Sequence, residues 1–465
     1  MADTLDLTLT DMAAGGDAVG FAELDRRPVF VPGGIPGERV RVQVMENRPR
    51  WRRARLLDVL APSPDRIAPL CPHFAPASSQ PHCTGCRWQH VAYERQLTLK
   101  RDILVDILAR HAKLGPSLPR SQERAAALVD EVIALGDPEA EDEAAVLAFG
   151  YCTQMHFILD PAGRLALPDQ HGAPLPIDAC PLHHPQLAAL FAAWDVDPET
   201  GSQLAQELTG VTLAVGGVES DSETNQDGQT VGALVLESAR GEPPELTLDL
   251  PVNVFWRAGA GDETQVELLV GDWTHPVAVG GRILRAYPPV GARRLTWPHV
   301  LADEALYAIG VQMLELQPFE QAVDLWAGIG VGSLALAEQA ATVLALDDDP
   351  LAAAALEANL AGVDNISPRP GPILEQLAAL ERVGHRAEAA LLTPPQTVDW
   401  EAVCPALARL GVKRAVIITA DPVGLARSLG SLAAQGFQVQ TVQPVDIAPH
   451  QPTTALVVRF NRVEP

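Results

Sequence analysis

The sequence predicts a multidomain α/β protein with a small N-terminal β-barrel, a central β-rich domain and a doubly wound C-terminal domain. Three observations support this fold class. Short alternating strands with glycine turns fill residues 1–61, a Pro-rich stretch with clustered cysteines follows, and strands alternate with helices from about residue 300 onward. A chain of 465 residues is long enough for three domains. We place them at residues 1–61, 62–285 and 286–465.

The composition is that of a folded protein whose charge is unevenly distributed. Hydrophobic residues make up 47% and charged residues 20%, so the chain can bury a core. The net charge of −25 argues against a general polyanion binder. Residues 1–120 nevertheless carry 17 basic against 13 acidic residues, whereas the remainder carries 17 against 46. A polyanionic partner would therefore find its most favourable surface within residues 1–120.

Several features predict a protein of the reducing cytoplasm. No apolar stretch approaches the length that a membrane span needs. The N-terminal residues Met1-Ala2-Asp3 carry no basic region of the kind that opens a secretory signal. Six cysteines with one CxxC motif, in a chain of this length, indicate a metal site rather than a disulfide framework.

The barrel prediction rests on alternation in residues 1–61. Apolar and polar residues alternate in Leu5–Thr10 and Arg39–Val44, and turns at Gly15-Gly16 and Gly33-Gly34 separate such segments. Strands of this length and spacing are typical of a five-stranded OB-like barrel. A basic run with one aromatic residue follows: Arg48, Arg50, Trp51, Arg52, Arg53 and Arg55. The run fits a solvated strand edge, or a groove that binds RNA phosphates and stacks a base on Trp51.

The central domain combines a cysteine cluster, a helix and short strands. Cys83-Thr84-Gly85-Cys86 forms a CxxC motif with Cys71 upstream, a spacing that favours a metal or iron–sulfur centre. A helical pattern covers residues 92–114, and we expect that helix to pack on the C-terminal domain. Predicted strands follow at Val211–Val215, Val231–Leu236, Leu246–Leu250 and Val266–Val270.

The C-terminal domain alternates predicted strands with predicted helices. The strands are Ala322–Leu325, Thr342–Leu346, Ala389–Leu392, Ala415–Thr419, Gln438–Gln443 and Ala455–Phe460. The helices are Ser333–Gln339, Leu351–Leu360, Ile373–Leu380, Trp400–Leu410 and Val423–Ala434. Such alternation predicts a mostly parallel sheet covered by helices on both faces.

A glycine-rich turn in this domain is a candidate cofactor site. It leaves the first strand and includes Asp324, Trp326, Gly328 and Gly330. Asp347 ends the next strand, where an acid can accept hydrogen bonds from ribose hydroxyls. The pattern fits S-adenosylmethionine better than NAD because GxGxxG is absent, although glycines needed only for close packing would look the same.

Several segments resemble the RNA 5-methyluridine methyltransferases, including the enzymes that act on carbon 5 of uracil in large-subunit rRNA. The matching segments are Val442–His450, the turns at 15–16 and 31–38, Cys83–His90 with Tyr93, Gln96, Leu97 and Lys100, Gly150-Tyr151, and Asp178–Pro181. The resemblance covers nearly the whole chain. It implies an N-terminal TRAM domain, a Rossmann-like domain for S-adenosylmethionine, and structured rRNA or tRNA as partner of a monomer.

The resemblance also implies a metal centre. In the family four cysteines hold a [4Fe–4S] cluster, and the matching residues are Cys71, Cys83, Cys86 and Cys180. Zinc is the alternative, since four thiolates suit either group. Eleven residues separate Cys71 from Cys83, which is longer than the family's usual spacer. Cys152 has no counterpart among the family's ligands and is expected to be a buried thiol.

The residues that react in the family are replaced here. In the family a cysteine adds to carbon 6 of uracil, and a glutamate later removes the proton on carbon 5. The matching positions carry Ala420 and Ala455, so no catalytic residue is assigned. The substrate-side LDPPR motif reads Leu392-Thr393-Pro394-Pro395-Gln396, and the FFQxN segment reads Leu295-Thr296-Trp297-Pro298-His299. Cys404 lies in a predicted helix before Ala420 and is expected to be a core residue.

Three hypotheses about function follow. The first is a family member that keeps the fold, the cluster and RNA binding but does not methylate carbon 5. The second is an active methyltransferase that uses S-adenosylmethionine on an RNA nitrogen or oxygen, where no covalent nucleophile is needed. The third is a non-catalytic RNA-binding or assembly factor that uses the barrel and its basic run.

Overall fold

A computed structural model describes residues 4–22, 26–111, 121–136, 146–217, 232–239, 241–244, 252–259, 265–287 and 297–463. The predicted strand Leu246–Leu250 and residues Leu295 and Thr296 lie outside these ranges. The multidomain α/β architecture is confirmed. None of the described helices is both long and apolar enough to span a bilayer.

The N-terminal strands form the predicted five-stranded closed barrel. The strands are β1 (Thr4–Met12), β2 (Ala18–Phe21), β3 (Pro28–Val31), β4 (Arg39–Asn47) and β5 (Arg52–Ala61). They follow the order β1-β2-β3-β5-β4, and pairing of β4 with β1 closes the barrel. Alternate side chains such as Leu7, Leu9, Val40 and Val42 are buried and fill its interior.

Two helices connect the barrel to the rest of the molecule. They are α1 (Tyr93–His111) and α2 (Ser121–Leu128). Helix α1 begins beside the cysteine loop, and Leu104, Val105 and Leu108 on it join the core of the C-terminal domain. The predicted packing of this helix is therefore seen in the structure.

The central domain is one seven-stranded sheet with helices on one face. Its elements are β6 (Gln154–Leu159), β7 (Leu165–Pro168), β8 (Pro174–Pro176), α3 (Pro185–Ala192), α4 (Pro198–Glu207), β9 (Gly210–Val215), β10 (Gly232–Ser238), β11 (Val252–Ala258) and β12 (Gln265–Val270). The strand order is β12-β11-β10-β9-β6-β7-β8, with β10 and β11 parallel. Leu187 on α3 and Leu204 on α4 pack on buried Phe157 and Trp256.

The C-terminal domain follows a two-stranded hairpin. The elements are β13 (His275–Val279), β14 (Arg282–Ala286), α5 (Ala302–Leu314), β15 (Gln321–Leu325), α6 (Val331–Ala337), β16 (Thr342–Asp347), α7 (Pro350–Leu360), β17 (Ile366–Pro370), α8 (Ile373–Arg382), β18 (Ala389–Leu392), α9 (Trp400–Leu410), β19 (Arg414–Thr419), α10 (Pro422–Ala434), β20 (Phe437–Val445) and β21 (Ala455–Arg462). The sheet order is β17-β16-β15-β18-β19-β21-β20. Strand β21 runs antiparallel to both of its neighbours, β19 and β20, and the other pairs are parallel.

This order positions a ligand crevice. Strand β15 lies between β16 and β18, so the chain moves outward in opposite directions from β15. In an open parallel sheet, such a reversal leaves a crevice at the carboxyl ends of the strands. The loops after β15, β18 and β19 open at this edge. Two buried apolar clusters cover the two faces of the sheet and make it a rigid platform.

Candidate functional site

A cavity of about 970 Å³ lies between the central domain and the carboxyl edge of the C-terminal sheet. Two of its walls contain residues that the sequence singled out. The cysteine wall contains Cys71, Cys83, Cys86 and Cys180. The strand-end wall contains Gly328 after β15, residues 393–397 after β18, and residues 419–421 after β19. The cavity therefore brings the predicted metal ligands to the same space as the predicted reaction site.

The long spacer between Cys71 and Cys83 folds back on itself. Phe74 N donates to Cys71 O at 3.2 Å, and Cys83 N donates to His73 O at 3.0 Å. The second bond returns the chain to the place where the spacer began. The additional residues therefore loop outward, and the two cysteines still line one cavity.

The thiols of the cysteine wall are partly buried and close to one another. Burial raises the pKa of Cys86 and Cys180 to about 12, and the neighbouring thiols add to the effect. Burial also raises the pKa of Cys83. Without a cation these thiols are therefore neutral, whereas a bound metal would stabilise their thiolates.

Two N–H groups point at sulfurs of this wall. Gly85 N donates to Cys83 Sγ at 3.3 Å, and Gln89 Nε2 donates to Cys86 Sγ at 3.2 Å. Four thiols on one wall with N–H donors to their sulfurs fit a thiophilic metal group. Among the described residues, no three His, Cys, Asp or Glu side chains are arranged to hold a single metal ion. Cys152 also lines the cavity, and all six cysteines are free thiols.

The cysteine loop is bonded to the segment that follows β20. Arg87 N and Trp88 N both donate to His450 O, at 2.9 and 3.0 Å. His450 has a φ of 65°, and Gln96 Oε1 accepts a bond from its backbone N–H at 2.8 Å. The left-handed backbone at His450 turns its carbonyl toward the cysteine loop.

A buried ion pair fixes the same segment to α1. Lys100 Nζ bonds Asp446 Oδ1, and both side chains are fully buried. Lys100 also donates to Ala448 O at 2.9 Å, and Tyr93 Oη donates to Asp446 Oδ2 at 3.0 Å. Helix α1 therefore holds the segment by charge and by hydrogen bonds.

The glycine-rich turn after β15 is held by two buried acids. Asp324 Oδ2 accepts from Ser333 Oγ at 2.6 Å. Asp347 accepts from Gly328 N at 2.7 Å and from Asp349 N at 2.9 Å. Trp326, Gly328 and Gly330 have φ values of 60°, 61° and 95°. Of the five predicted cofactor residues, Gly328 lines the cavity and the others are buried behind it.

The positions of the family's nucleophile and base differ in their surroundings. Ala420 directly follows β19, is partly buried and lines the cavity. Ala455 begins β21, is 0% exposed and packs in the apolar core rather than on the cavity wall. Cys404 is 0% exposed within α9, as expected for a core residue.

Polar groups surround Ala420 on the strand-end wall. Asp421 Oδ1 accepts from Gly424 N at 2.8 Å and caps α10, while Asp421 N donates to Thr419 Oγ1 at 3.1 Å. Thr393 Oγ1 lies 3.4 Å from the hydroxyl of Tyr307, which also lines the cavity. Tyr307 was not found from the sequence because α5, its helix, was not predicted. A helical repeat through residues 302–314 was the signal that could have found it.

The basic run of the barrel is partly committed to bonds within the protein. Arg52 is buried, Arg53 pairs with Asp17 at 2.8 Å, and Arg55 donates to Gln43 at 2.6 Å. Trp51 makes an edge contact with Phe30, with ring centroids 6.2 Å apart. Arg48 and Arg50, in the turn before β5, are exposed, and the side chain of Arg48 makes a long, exposed contact of 3.5 Å with Glu46. These two are the members of the run most available to a partner.

Two relatives of similar length that match this chain are both named as RNA methyltransferases. An RlmD 23S rRNA (uracil(1939)-C(5))-methyltransferase of Vibrio cholerae is 26% identical over 442 residues, covering 93% of this chain and 90% of the relative. An uncharacterized RNA methyltransferase of Listeria innocua is 26% identical over 478 residues, covering 97% of each. No protein-family model matches the chain.

A solved structure shares the fold. The Pyrococcus abyssi tRNA (uracil-54, C5)-methyltransferase, determined with S-adenosyl-L-homocysteine, superposes with a TM-score of 0.62 at 16% sequence identity. The match covers 98% of this chain and 100% of that one. The two chains therefore share their fold along nearly their whole length.

Proposed function

Because the chain is related along nearly its whole length to RNA methyltransferases named for carbon 5 of uracil, we propose that it binds RNA and S-adenosylmethionine without methylating that carbon. The observation that carries the proposal is the pair Ala420 and Ala455. Carbon 5 of uracil is a weak nucleophile until a thiolate has added to carbon 6. The place where that thiolate would stand presents a methyl group to the cavity.

The base position gives a second, independent support. Removing the proton from carbon 5 requires a carboxylate or an equivalent base within hydrogen-bond reach. Ala455 is enclosed by the apolar core, and no acid can act from there. Loss of a covalent nucleophile alone lowers rates by several orders of magnitude. The chain therefore lacks both the thiolate that would add to carbon 6 and the carboxylate that would remove the proton from carbon 5.

Binding of S-adenosylmethionine is supported by the fold and by the glycine-rich turn. The turn lies at the carboxyl edge where the strand order reverses, and Gly328 opens directly into the cavity. We assign Asp324, Trp326, Gly328 and Gly330 to the surroundings of the cofactor, and Asp347 to holding the turn in shape. When bound, S-adenosylmethionine supplies an electrophilic methyl group.

RNA binding is assigned to the barrel. Residues 1–61 carry nine basic and nine acidic residues, whereas the remainder carries the whole net charge of −25, and Arg48 and Arg50 are exposed beside Trp51. We further propose that Cys71, Cys83, Cys86 and Cys180 hold a [4Fe–4S] cluster, with zinc as the alternative. Because Cys86 is next to residues that are hydrogen-bonded to His450, such a group would hold this wall of the cavity in place.

One experiment tests the proposal. Anaerobically purified protein is titrated with S-adenosylmethionine in a calorimeter, and is also incubated with the radiolabelled cofactor and unmodified rRNA and tRNA transcripts. We expect measurable cofactor binding and no 5-methyluridine in the digested RNA. Formation of 5-methyluridine would refute the loss of the uracil reaction, and absence of cofactor binding would refute the methyltransferase interpretation altogether.

A second candidate function is methyl transfer to an RNA nitrogen or oxygen. The observation that favours it is the polar lining around Ala420, formed by Thr393, Thr419, Asp421 and Tyr307. Such groups can orient a nucleotide that already carries its own lone pair. No covalent adduct is needed for that reaction, so Ala420 is compatible with it.

A further inference from the structure

A row of four polar side chains crosses the central sheet on the face opposite its apolar core. The row contains His156 on β6, Thr212 on β9, Glu237 on β10 and Arg257 on β11. In the strand register, His156 lies opposite Thr212 and Glu237 lies opposite Arg257. The alternate residues Phe157, Val211, Leu236 and Trp256 face the other way and are buried. The row therefore lies on the other face of the sheet, next to a small buried cluster of Ala233, Val235 and Phe255 on that face.

The four side chains form one hydrogen-bonded chain. Thr212 Oγ1 donates to Glu237 Oε1 at 2.9 Å. His156 Nδ1 lies 3.1 Å from Thr212 Oγ1 and 3.3 Å from Glu237 Oε1. Arg257 lies 3.5 Å from the other oxygen of Glu237. Burial alone would raise the pKa of Glu237, but the bonds from His156 and Thr212 and the charge of Arg257 hold it below its usual value.

This arrangement selects one tautomer of His156. An ionised carboxylate only accepts hydrogen bonds, and the single proton of Thr212 is already given to Glu237. Both neighbours of Nδ1 are therefore acceptors, so Nδ1 carries the proton. In the neutral ring the lone pair then stands on Nε2.

A glycine places the ring. A Cβ atom at Gly210 would lie 2.2 Å from Cε1 and 2.8 Å from Nε2 of His156. Any other residue at position 210 would therefore displace the imidazole. The His156 side chain is 53% exposed and lines the same cavity as Ala420 and Asp421. An oriented, solvent-accessible base thus lines the same cavity as the strand-end wall.

We propose that His156 is the general base of a methyl transfer to an O–H or N–H group of an RNA nucleotide bound in this cavity, with Glu237 as its positioning residue. The proposal rests on the RNA and S-adenosylmethionine binding argued above, and it gives the second candidate function its missing group. It does not need a thiol at position 420.

The step balances without a further reactant. The lone pair of the nucleotide oxygen or nitrogen forms a bond to the methyl carbon. The carbon–sulfur bond breaks and its electron pair stays on sulfur, which leaves neutral S-adenosylhomocysteine. Nε2 of His156 accepts the proton that the acceptor atom loses, and the imidazolium returns it to water. Glu237 and Arg257 on neighbouring strands, and Asp421 across the cavity, are the charged groups that face this step.

The test uses the full-length protein, radiolabelled S-adenosylmethionine and RNA extracted from a strain of the source organism that lacks the gene. Digestion and mass spectrometry identify the methylated nucleoside. We expect wild-type protein to form an O- or N-methylated nucleoside, and His156→Gln to lower kcat about 100-fold or more. The KM for S-adenosylmethionine should stay the same. His171→Gln is the control, since His171 is exposed in the turn between β7 and β8 and does not line the cavity.

Glu237→Gln tests whether Glu237 positions the His156 ring or only stabilises the fold. This variant should lower kcat less than Glu237→Leu does, because the amide oxygen of Gln still accepts from Nδ1–H of His156 and leucine has no acceptor, and neither variant should change the KM for S-adenosylmethionine. An unchanged kcat in His156→Gln would overturn the proposal, and so would an equal kcat of Glu237→Gln and Glu237→Leu. Wild-type protein that binds cofactor and RNA but methylates no nucleoside would overturn the proposal while leaving the binding function intact. A product of 5-methyluridine would instead overturn the proposed function.

Discussion

The cysteine wall and the strand-end wall face the same cavity, but they present different atoms to it. On the cysteine wall four thiols line the cavity and N–H groups point at two of them. On the strand-end wall Asp421 caps α10 and its backbone N–H donates to Thr419 Oγ1, while Ala420 between them presents only a methyl group. The hydrogen bonds that shape this second loop come from Thr419 and Asp421, so they do not depend on the side chain at position 420.

The largest expected effect is on the cysteine wall. Cys86→Ser should abolish metal binding, because a hydroxyl at this buried position is a poor substitute for a thiolate. Iron and zinc content, with the absorbance spectrum of anaerobic protein, measure the result. Cys152→Ala is the matched control, since Cys152 lines the same cavity but is not assigned as a ligand. Loss of metal in Cys152→Ala, or retention of metal in Cys86→Ser, would show that the ligands differ from the four assigned cysteines.

The next effect concerns the segment between the two walls. Lys100→Met should lower the free energy of unfolding by about 3–5 kcal/mol, because it leaves the buried Asp446 carboxylate without its cation. Denaturant unfolding followed by circular dichroism measures the change. Arg110→Met is the control, since the pair of Arg110 with Asp106 is exposed and should contribute less than about 1 kcal/mol. Equal free energies of unfolding for the two variants would show that the Lys100–Asp446 pair does not stabilise this segment.

The two replaced positions of the uracil reaction should respond differently to restoration. Ala455→Glu should cost about 3 kcal/mol or more, because it places a charge in an apolar core that is 0% exposed at this residue. Ala420→Cys should change stability by less than about 1 kcal/mol, because the site opens to the cavity. Thermal unfolding of the two single variants distinguishes these outcomes. A stable Ala455→Glu protein would mean that the base position is still accessible.

The smallest effect belongs to the barrel. Replacing Arg48 and Arg50 together by Gln should weaken RNA binding and reduce the slope of log affinity against log salt by about 2, because two RNA phosphates are no longer neutralised. Fluorescence anisotropy at several salt concentrations measures the slope. Arg53→Gln is the control, since Arg53 is already paired with Asp17 and should change the slope less. An unchanged slope in the double variant would move the RNA surface away from this turn.

Sequence reasoning succeeded where local signals are strong. Strand Ala389–Leu392 and helix Trp400–Leu410 have the predicted bounds, because a short apolar run and an amphipathic repeat each have one plausible interpretation. Helix α5 was missed because its residues are apolar nearly all round and include Gly310. Strand β17 was missed because two prolines occupy it, which only an edge strand tolerates.

The site was less accessible from sequence than the fold. Motifs located the cysteines and Ala420, but only the structure shows that the spacer after Cys71 folds back and that Ala455 is enclosed. Asp347 is predicted to bind ribose, and only the structure shows that its carboxylate also accepts two backbone N–H groups. The His156 row combines residues from four strands. No local pattern can indicate such a row, because it depends on the register between strands.

The carbonyl of His450 has a consequence for measurement. It accepts from the amides of Arg87 and Trp88, which lie in the cysteine loop, although His450 itself follows β20. These amide protons exchange with deuterium only when the two segments separate. Their exchange rates, read before and after cofactor is added, therefore report whether a ligand on the strand-end wall tightens the cysteine loop. The amide protons of Arg87 and Trp88 thus measure how strongly the two walls of the cavity are coupled.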